Sequence, residues 1–430
     1  MEVNKETLQK GWTIAKFEDL LDYIQPTNYI VKSTEYKDTY KTPVLTAGKS
    51  FIKGYTNETD GIFTQLPTII FDDFTTATQF VNFPFKVKSS AMKILQPTCD
   101  LANIKWAYYF MQTVHLKGET HKRFWISEYS QLPVPLAPLN EQARILAKLE
   151  QLLTELDKGI EQLKIAQQQL TVYRQAVLKF IFESVQNPYS RTVENCCTHV
   201  VDCLHSTAKF KKSGFYCVDT TCIEDGKILF DQIRYVDEST FKERISRLKP
   251  EYGDILFARE GTVGTTLIVP KDIDICLGQR MMMFRLKDDI KPKYFMYYFQ
   301  SPLFKTQYRP LIGGTTSPHL NIRDIRKFNV ITCVPSEQES IIQQIESRLS
   351  VCDKIEETIE SSLQQAEALR LSIIKKAFEG KLVPQDPNDE PAEKLLVRIR
   401  AAKVKAKPEK KEKVKAEKKP IQKRKEKIEI

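Results

Sequence analysis

Apolar residues recur at heptad spacing in two long stretches of this chain. In the first, Leu149, Leu156, Leu163, Leu170 and Val177 lie seven apart, with Leu146, Leu153 and Ile160 three positions ahead of the first three. In the second, Ile345, Cys352, Ile359, Ala366 and Ile373 form one series, and Ile342, Leu349 and Leu363 the other. Such an a/d seam is narrow and asks for a partner helix. Only Gly159 interrupts the first stretch and nothing interrupts the second. Each is predicted to be a helix of about 44 residues, roughly 65 Å long at 1.5 Å per residue. Arg174 and Arg370 end the a series, so the seam is expected to open there or to pair with an acidic group.

The two stretches are copies of one another. Glu141 and Glu337 stand 196 positions apart. The same offset matches Gln142 to Gln338, Asp157 to Asp353, Arg174 to Arg370 and Phe182 to Phe378. A repeat of this length sets the architecture before any local detail does. The simplest partner of each helix is the other copy, in antiparallel pairing. That arrangement is a pseudo-twofold tandem repeat, in which one chain imitates a symmetric dimer. A generic coiled coil in an oligomer is the alternative.

The segments ahead of the helices, residues 1–138 and 185–334, change period. Short β-rich runs such as "PTIIFDD", "GDILFARE" and "RMMMFRL" alternate with turn residues. Each segment then carries an aromatic helix, "IKWAYYFMQ" or "PKYFMYYFQ". "FWISEYSQLPV" and "HLNIRDIRKFNV" keep the offset of 196, so the duplication includes these domains. The expected fold is α+β: two mixed α/β domains (1–138 and 185–334) joined by two long helices (139–184 and 335–380) in an antiparallel coiled coil. A segment 381–402 and a tail 403–430 follow.

Composition refines this picture in one respect. The formal charge of +10 resides mostly in residues 401–430, with 13 Lys or Arg against 5 Asp or Glu. The whole-chain charge is therefore a property of a Lys/Glu-rich tail, expected to be disordered or a frayed helix. The sequence contains no apolar run long enough to span a membrane and no apolar leader, which predicts a cytosolic protein. Nine cysteines without scaffold spacing predict reduced thiols.

Several stretches imitate enzyme motifs and fall short. "PVLTAGKSF" ends like a phosphate loop, but Pro43 occupies the place of its first glycine. "NPYS" at Asn187 lacks the second proline of a methyltransferase loop and follows a helix, where Asn-Pro is a stop signal. Cys196, Cys197, His199, Cys203 and His205 offer zinc-type donors at spacing that suits zinc poorly, so no metal is expected. No complete catalytic constellation is found.

Other stretches mix short donors with positive charge, as contacts to phosphates and base edges require. In the second domain these are His205, Ser206, Thr207 and Lys209 in "DCLHSTAKFKK", Arg259 and Thr262 in "AREGTVG", and Arg280 in "GQRMMMF". "GGTTSPHL" adds Thr315, Thr316, Ser317 and His319. In the first domain the candidates are Lys32, Thr46, Lys49, Tyr55, Thr75 and Thr76. Lys86, Lys88, Ser89, Lys122 and Arg123 complete that set.

These motifs together resemble the DNA-specificity subunit of type I restriction–modification enzymes, over nearly the whole chain to about residue 400. The resemblance rests on "PLNEQ" and "PSEQ" at the starts of the helices, on "DCLHSTAKF" and "GDILFAREGTVG", and on "IIKKAFEGKLVPQDPNDEPAEKLLVRIR". The first domain resembles one class of target-recognition domain within that family. The resemblance implies two target-recognition domains reading the halves of a bipartite, asymmetric site, with the helices as a ruler. It implies partners: double-stranded DNA, two adenine-N6 methyltransferase subunits using S-adenosylmethionine, and ATP- and Mg2+-dependent translocase/nuclease subunits. It implies no cofactor and no catalytic residue on this chain itself. The rival readings are a coiled-coil scaffold of another defence complex, or a methyltransferase or ATPase in its own right.

Overall fold

The computed structural model describes residues 6, 8–47, 50–114, 116, 123–224, 226–313 and 318–406. The chain divides into two compact units, Met1–Gly159 with Gln364–Ile430, and Ile160–Leu363. The division falls inside the two long helices, Leu139–Glu183 and Pro335–Phe378, and not at their ends. Each unit therefore holds one α/β domain and a length of both helices. No helix among the described residues is long and apolar enough to cross a membrane.

In the first unit, β1 (Thr13–Lys16) pairs antiparallel with β9 (Pro133–Leu136). Strands β2 (Leu21–Ile24), β5 (Thr68–Asp72), β6 (Thr78–Val81) and β8 (Met92–Pro97) form an antiparallel sheet in the order β2-β8-β5-β6. A smaller sheet, β4-β3-β7, joins β3 (Thr42–Leu45), β4 (Ile52–Thr56) and β7 (Lys86–Val87), with β3 and β7 parallel.

The second unit repeats this plan. Strands β10 (Tyr189–Thr192) and β21 (Asn329–Thr332) are its closing ladder. Strands β11 (Cys197–Asp202), β17 (Ile255–Ala258), β18 (Thr266–Ile268) and β20 (Met281–Leu286) give the order β11-β20-β17-β18. Strands β12 (Phe210–Lys211), β13 (Phe215–Val218), β16 (Arg234–Val236) and β19 (Ile275–Leu277) make the second sheet, with β13 and β19 parallel. The hairpin of β14 (Ile223–Glu224) and β15 (Lys227–Ile228) is an addition to the plan.

Within each unit the start of one long helix packs beside the end of the other, as antiparallel pairing requires. Ile145, Leu146, Leu149 and Leu153 share a core with Ile374, Ala377 and Phe378 in the first unit. In the second, Val177, Leu178, Ile181 and Phe182 share one with Ile341, Ile342 and Ile345. Leu170, Cys352 and Ile359 are also buried along the seam. Leu156, Ile160, Leu163, Leu349 and Leu363 are half-buried on the same seam. The terminal arginines find acids: Arg370 pairs with Asp157 in the first unit, and Arg174 with Asp353 at 2.7 Å and Glu356 at 2.8 Å in the second.

The paired Glu-Gln at the start of each helix secures the strand-to-helix turn. Gln142 donates to the carbonyl of Ala137 at 2.8 Å, and Gln338 to that of Cys333 at 2.8 Å, again 196 positions on. Glu337 accepts the Gln186 N–H at 2.7 Å, which ties the exit of the first helix to the entrance of the second.

One expectation needs correction. The boundary placed at 403 falls inside a helix that runs over Ala392–Ala406, four residues into the segment expected to be disordered or a frayed helix. Its Ala392, Leu395, Leu396 and Ile399 enter the core of the first unit, and Lys403 lies 3.4 Å from Asp22. The apolar burial lies at 392–399, and Val404 beyond it is exposed. Residues 407–430 lie outside the described residues.

Candidate nucleic-acid interface

The strand registers place corresponding residues of the two domains without recourse to sequence likeness. Asp72 faces Met92 across β5 and β8, and Ala258 faces Met281 across β17 and β20. The residues that follow β5 and β17, Asp73 and Arg259, are thus equivalent. Each N–H donates at 3.0 Å to a carbonyl just ahead of the paired strand, that of Ala91 or Arg280. Each carbonyl accepts from a residue of the closing segment, Phe124 N–H at 2.9 Å or Leu320 N–H at 2.8 Å. By the same register Gln25, just past β2, matches Asp202 at the end of β11.

Both domains bury a polar cluster at this sheet end, but from different residues. In the first, Lys93 donates to Gln25 at 2.6 Å and lies 3.5 Å from Asp73, whose other oxygen accepts the Trp125 N–H at 2.8 Å. In the second, Arg259 Nε donates to Asp202 Oδ1 at 3.0 Å, with His205 Nε2 3.1 Å from the other carboxylate oxygen. One backbone frame thus carries two chemistries.

In the second domain the loop after β11 is seated by side-chain donors. Cys203 and Ala208 are buried and anchor its ends. Arg247 donates to the carbonyls of Asp202 at 3.0 Å and Cys203 at 3.3 Å. Arg244, buried at the end of the helix Glu238–Arg244, donates to the carbonyls of Ser206 and Leu277. Gln279 donates to the His205 carbonyl at 2.9 Å and to the Thr207 hydroxyl at 3.0 Å. Held from beneath, the loop leaves His205, Ser206, Thr207 and Lys209 exposed. Among the described residues no carboxylate lies within ion-pair distance of Arg244 or Arg247, so the seat is positive, which favours a phosphate nearby.

Two further turns adjoin this loop. In the β17–β18 turn Thr262 is exposed and its hydroxyl donates to the Thr220 carbonyl at 3.3 Å. Gly264, at φ +95°, has no room for a side chain, because a Cβ would stand 2.2 Å from the Tyr308 hydroxyl. Arg280 is exposed at φ +70° and its Nε lies 3.3 Å from Glu260. His319 exchanges backbone bonds with Gly313 at 3.1 and 3.0 Å.

In the first domain Thr75 and Lys88 are exposed, and Thr76 (φ +59°) and Ser89 half-buried, at the same sheet end. Arg123 is exposed just before the closing segment. Lys32 is exposed, and its N–H and that of Ser33 donate to Glu58 at 2.9 and 2.8 Å. Burial raises the Glu58 pKa, but the Ser33 N–H, Lys86 and the Lys32 N–H outweigh it and hold the carboxyl below its usual range. Thr46 donates to the Ser50 carbonyl at 2.9 Å, and Tyr55 is half-buried on β4. Lys49, Lys122, Thr315, Thr316 and Ser317 lie outside the described residues.

Two candidates are misplaced by sequence reasoning. Lys86 is only 1% exposed, with its ammonium 3.0 Å from Glu58 and bonded to the Asp60 carbonyl, so it braces a loop from inside. Arg259 is buried beside Asp202 and reaches the surface only through the loop it supports. Both lie in basic, polar strings that look solvated in one dimension. Conversely, Arg244, Arg247 and Gln279 were not singled out. Their signal was available only in the adjacency of "GQR" to a quoted arginine, since "TFKERISR" reads as an exposed helix.

The enzyme-like motifs resolve structurally. "PVLTAGKSF" begins on β3 and leads into β4, not into the helix that a phosphate loop requires. Cys196 and Cys197 are buried in the core and His199 is exposed. Burial pushes the Cys196 thiol up to about 11. No cluster of metal-type donors is found among the described residues.

The chain is thus a tandem repeat of two α/β domains, each with polar loops at one sheet end and each packed with lengths of both long helices. Residues 9–164 and 207–365 each match the type I restriction modification DNA specificity domain, and the chain belongs to that family. The specificity subunit of type I restriction enzyme EcoR124I/EcoR124II from Escherichia coli is 46% identical over 179 residues, 38% of this chain and 43% of that one. The EcoKI specificity subunit of Escherichia coli K12 is 25% identical over 278 residues, 60% of each chain. The chain thus spans about half the length of these relatives, between 43% and 60%. A chain solved in work on complex assembly and conformational transition of the type I R-M system matches 87% of this chain and 99% of that one. Its TM-score is 0.62 at 15% identity, a likeness of fold.

Proposed function

We propose that this chain reads a bipartite DNA sequence for a type I restriction–modification complex, one half-site with each domain, and carries no catalytic group itself. The observation behind this reading is the shared sheet end. A matching backbone frame holds buried Asp73 beneath exposed Phe74 in one domain and buried Arg259 beneath half-buried Glu260 in the other, so the two half-sites should differ. Exposed hydroxyls and imidazole over a positive seat suit base edges flanked by phosphates. The long helices act as the spacer between the two readers. Partner methyltransferase subunits supply S-adenosylmethionine chemistry at an adenine N6 that must leave the base stack. Translocase and nuclease subunits supply ATP- and Mg2+-dependent cleavage, and the assembly acts in the cytoplasm.

The test is a map of N6-methyladenine across the host genome, with and without this gene. Loss of one split motif, with an adenine on each strand and a fixed gap, is the expected result. An unchanged methylome, with intact methyltransferase subunits co-purifying with the chain, overturns the proposal.

A further inference from the structure

The turn between β5 and β6 holds an aromatic ring in solvent on a fixed backbone. The Asp72 carboxylate accepts the N–H of Phe74 at 2.9 Å and of Thr75 at 3.2 Å. Thr76 N–H donates to the Asp72 carbonyl and Asp72 N–H to that of Ala77, both at 2.9 Å. Asp73 points inward and is bonded through its backbone to Ala91 and Phe124 and through its side chain to the Trp125 N–H. The chain is thus tied on both sides of Phe74, which is itself 46% exposed.

An isolated exposed phenylalanine is ordinary. This one differs in its place and its rigidity. It stands at the sheet end that carries the candidate reading loops, with exposed Thr75 beside it and exposed Lys88 and Arg123 on the segments that turn meets. The equivalent position of the second domain is Glu260, next to Arg280, so no ring stands at that place in the second frame.

We propose that Phe74 is a wedge that enters the base stack of the half-site read by the first domain. This rests on the DNA-reading function above and adds a mode of contact to it. Apolar side chains inserted between base steps unstack and kink a duplex, and a rigid turn loses little entropy in doing so. Thr75, Lys88 and Arg123 are placed to hold the flanking backbone. The wedge makes the two halves unequal: one is read with local unstacking, the other from a surface without an inserted ring.

The test uses the full-length chain and a pool of random-sequence duplexes, from which the preferred sequence is selected. 2-Aminopurine is then placed at successive positions in both halves. The wild type is expected to raise its fluorescence at one step, in one half only. Phe74→Ala is expected to abolish that rise and weaken binding by about tenfold, the scale of one lost stacking contact. Its thermal unfolding should stay unchanged, and Phe74→Trp should keep both signals. An alanine variant that binds within about twofold of wild type, with the rise intact, overturns the wedge alone. Failure to enrich any sequence with the wild type overturns the DNA-reading function and the wedge with it.

Discussion

Replacing Arg259 by methionine separates two roles that the sequence could not tell apart. The side chain is 11% exposed and Asp202 8%, with Nε donating to the carboxylate at 3.0 Å. Methionine fills similar volume but leaves Asp202 buried with only the exposed His205 imidazole, 3.1 Å away, as a remaining neighbour. Breaking a buried pair by removing one partner costs about 3–5 kcal/mol. Residual solvent access and the histidine argue for the lower end, about 3 kcal/mol. For a unit of this size each kcal/mol shifts the midpoint by roughly 2–4 °C, so the transition of the second unit should fall by about 6–12 °C. Thermal unfolding followed by circular dichroism measures this. Asp202→Asn combined with Arg259→Met should recover part of the loss, as a double-mutant cycle reports for coupled groups. Loop anchorage by Arg244, Arg247 and Gln279 survives, so sequence preference should weaken without vanishing. If Arg259→Met melted like wild type while losing all discrimination at the second half-site, the arginine would contact bases directly and the buried-pair argument would be wrong.

Lys86→Met should destabilise the first unit by about 3 kcal/mol, because it strips Glu58 of its partner and the Asp60 carbonyl of its donor; unchanged urea unfolding would contradict the buried placement. Gln338→Ala should cost more than Gln142→Ala, since Gln338 also bonds Asp289 at 2.9 Å and Lys291 at 2.8 Å. The excess is about 1–3 kcal/mol for buried groups left unmatched, and equal losses in parallel melts would refute it. Acid should loosen the C-terminal helix. Burial raises the Asp19 pKa, yet hydrogen bonds from Arg400 and the Lys16 N–H hold it below its ordinary 3.8. A depressed carboxyl contributes stability above its unfolded pKa and loses it as pH falls through the folded value. Proteolysis near Ala392 should therefore accelerate below about pH 4 in wild type, and Asp19→Asn should show that sensitivity already at neutral pH.

The sequence by itself determined the repeat and the two long helices, and it left their antiparallel pairing as the simpler of two readings, which the tertiary structure decided. The repeat and the helices rest on local, periodic signals, whereas a heptad seam asks for a partner without saying whether it lies in the same chain. The offset also located the closing segments, where Phe124 and Leu320 make the same backbone bond to Asp73 and Arg259. Tertiary structure alone decided which basic side chains face solvent. Lys86 and Lys88 are two residues apart in a string that reads as polar, yet one is buried and the other exposed. Arg244 sits at the end of a helix that looks solvated, and it is buried because the carbonyls of Ser206, in the loop after β11, and Leu277, on β19, arrive from segments distant in sequence. Burial of a charge depends on partners brought by the fold, and no period in the sequence encodes where those partners come from.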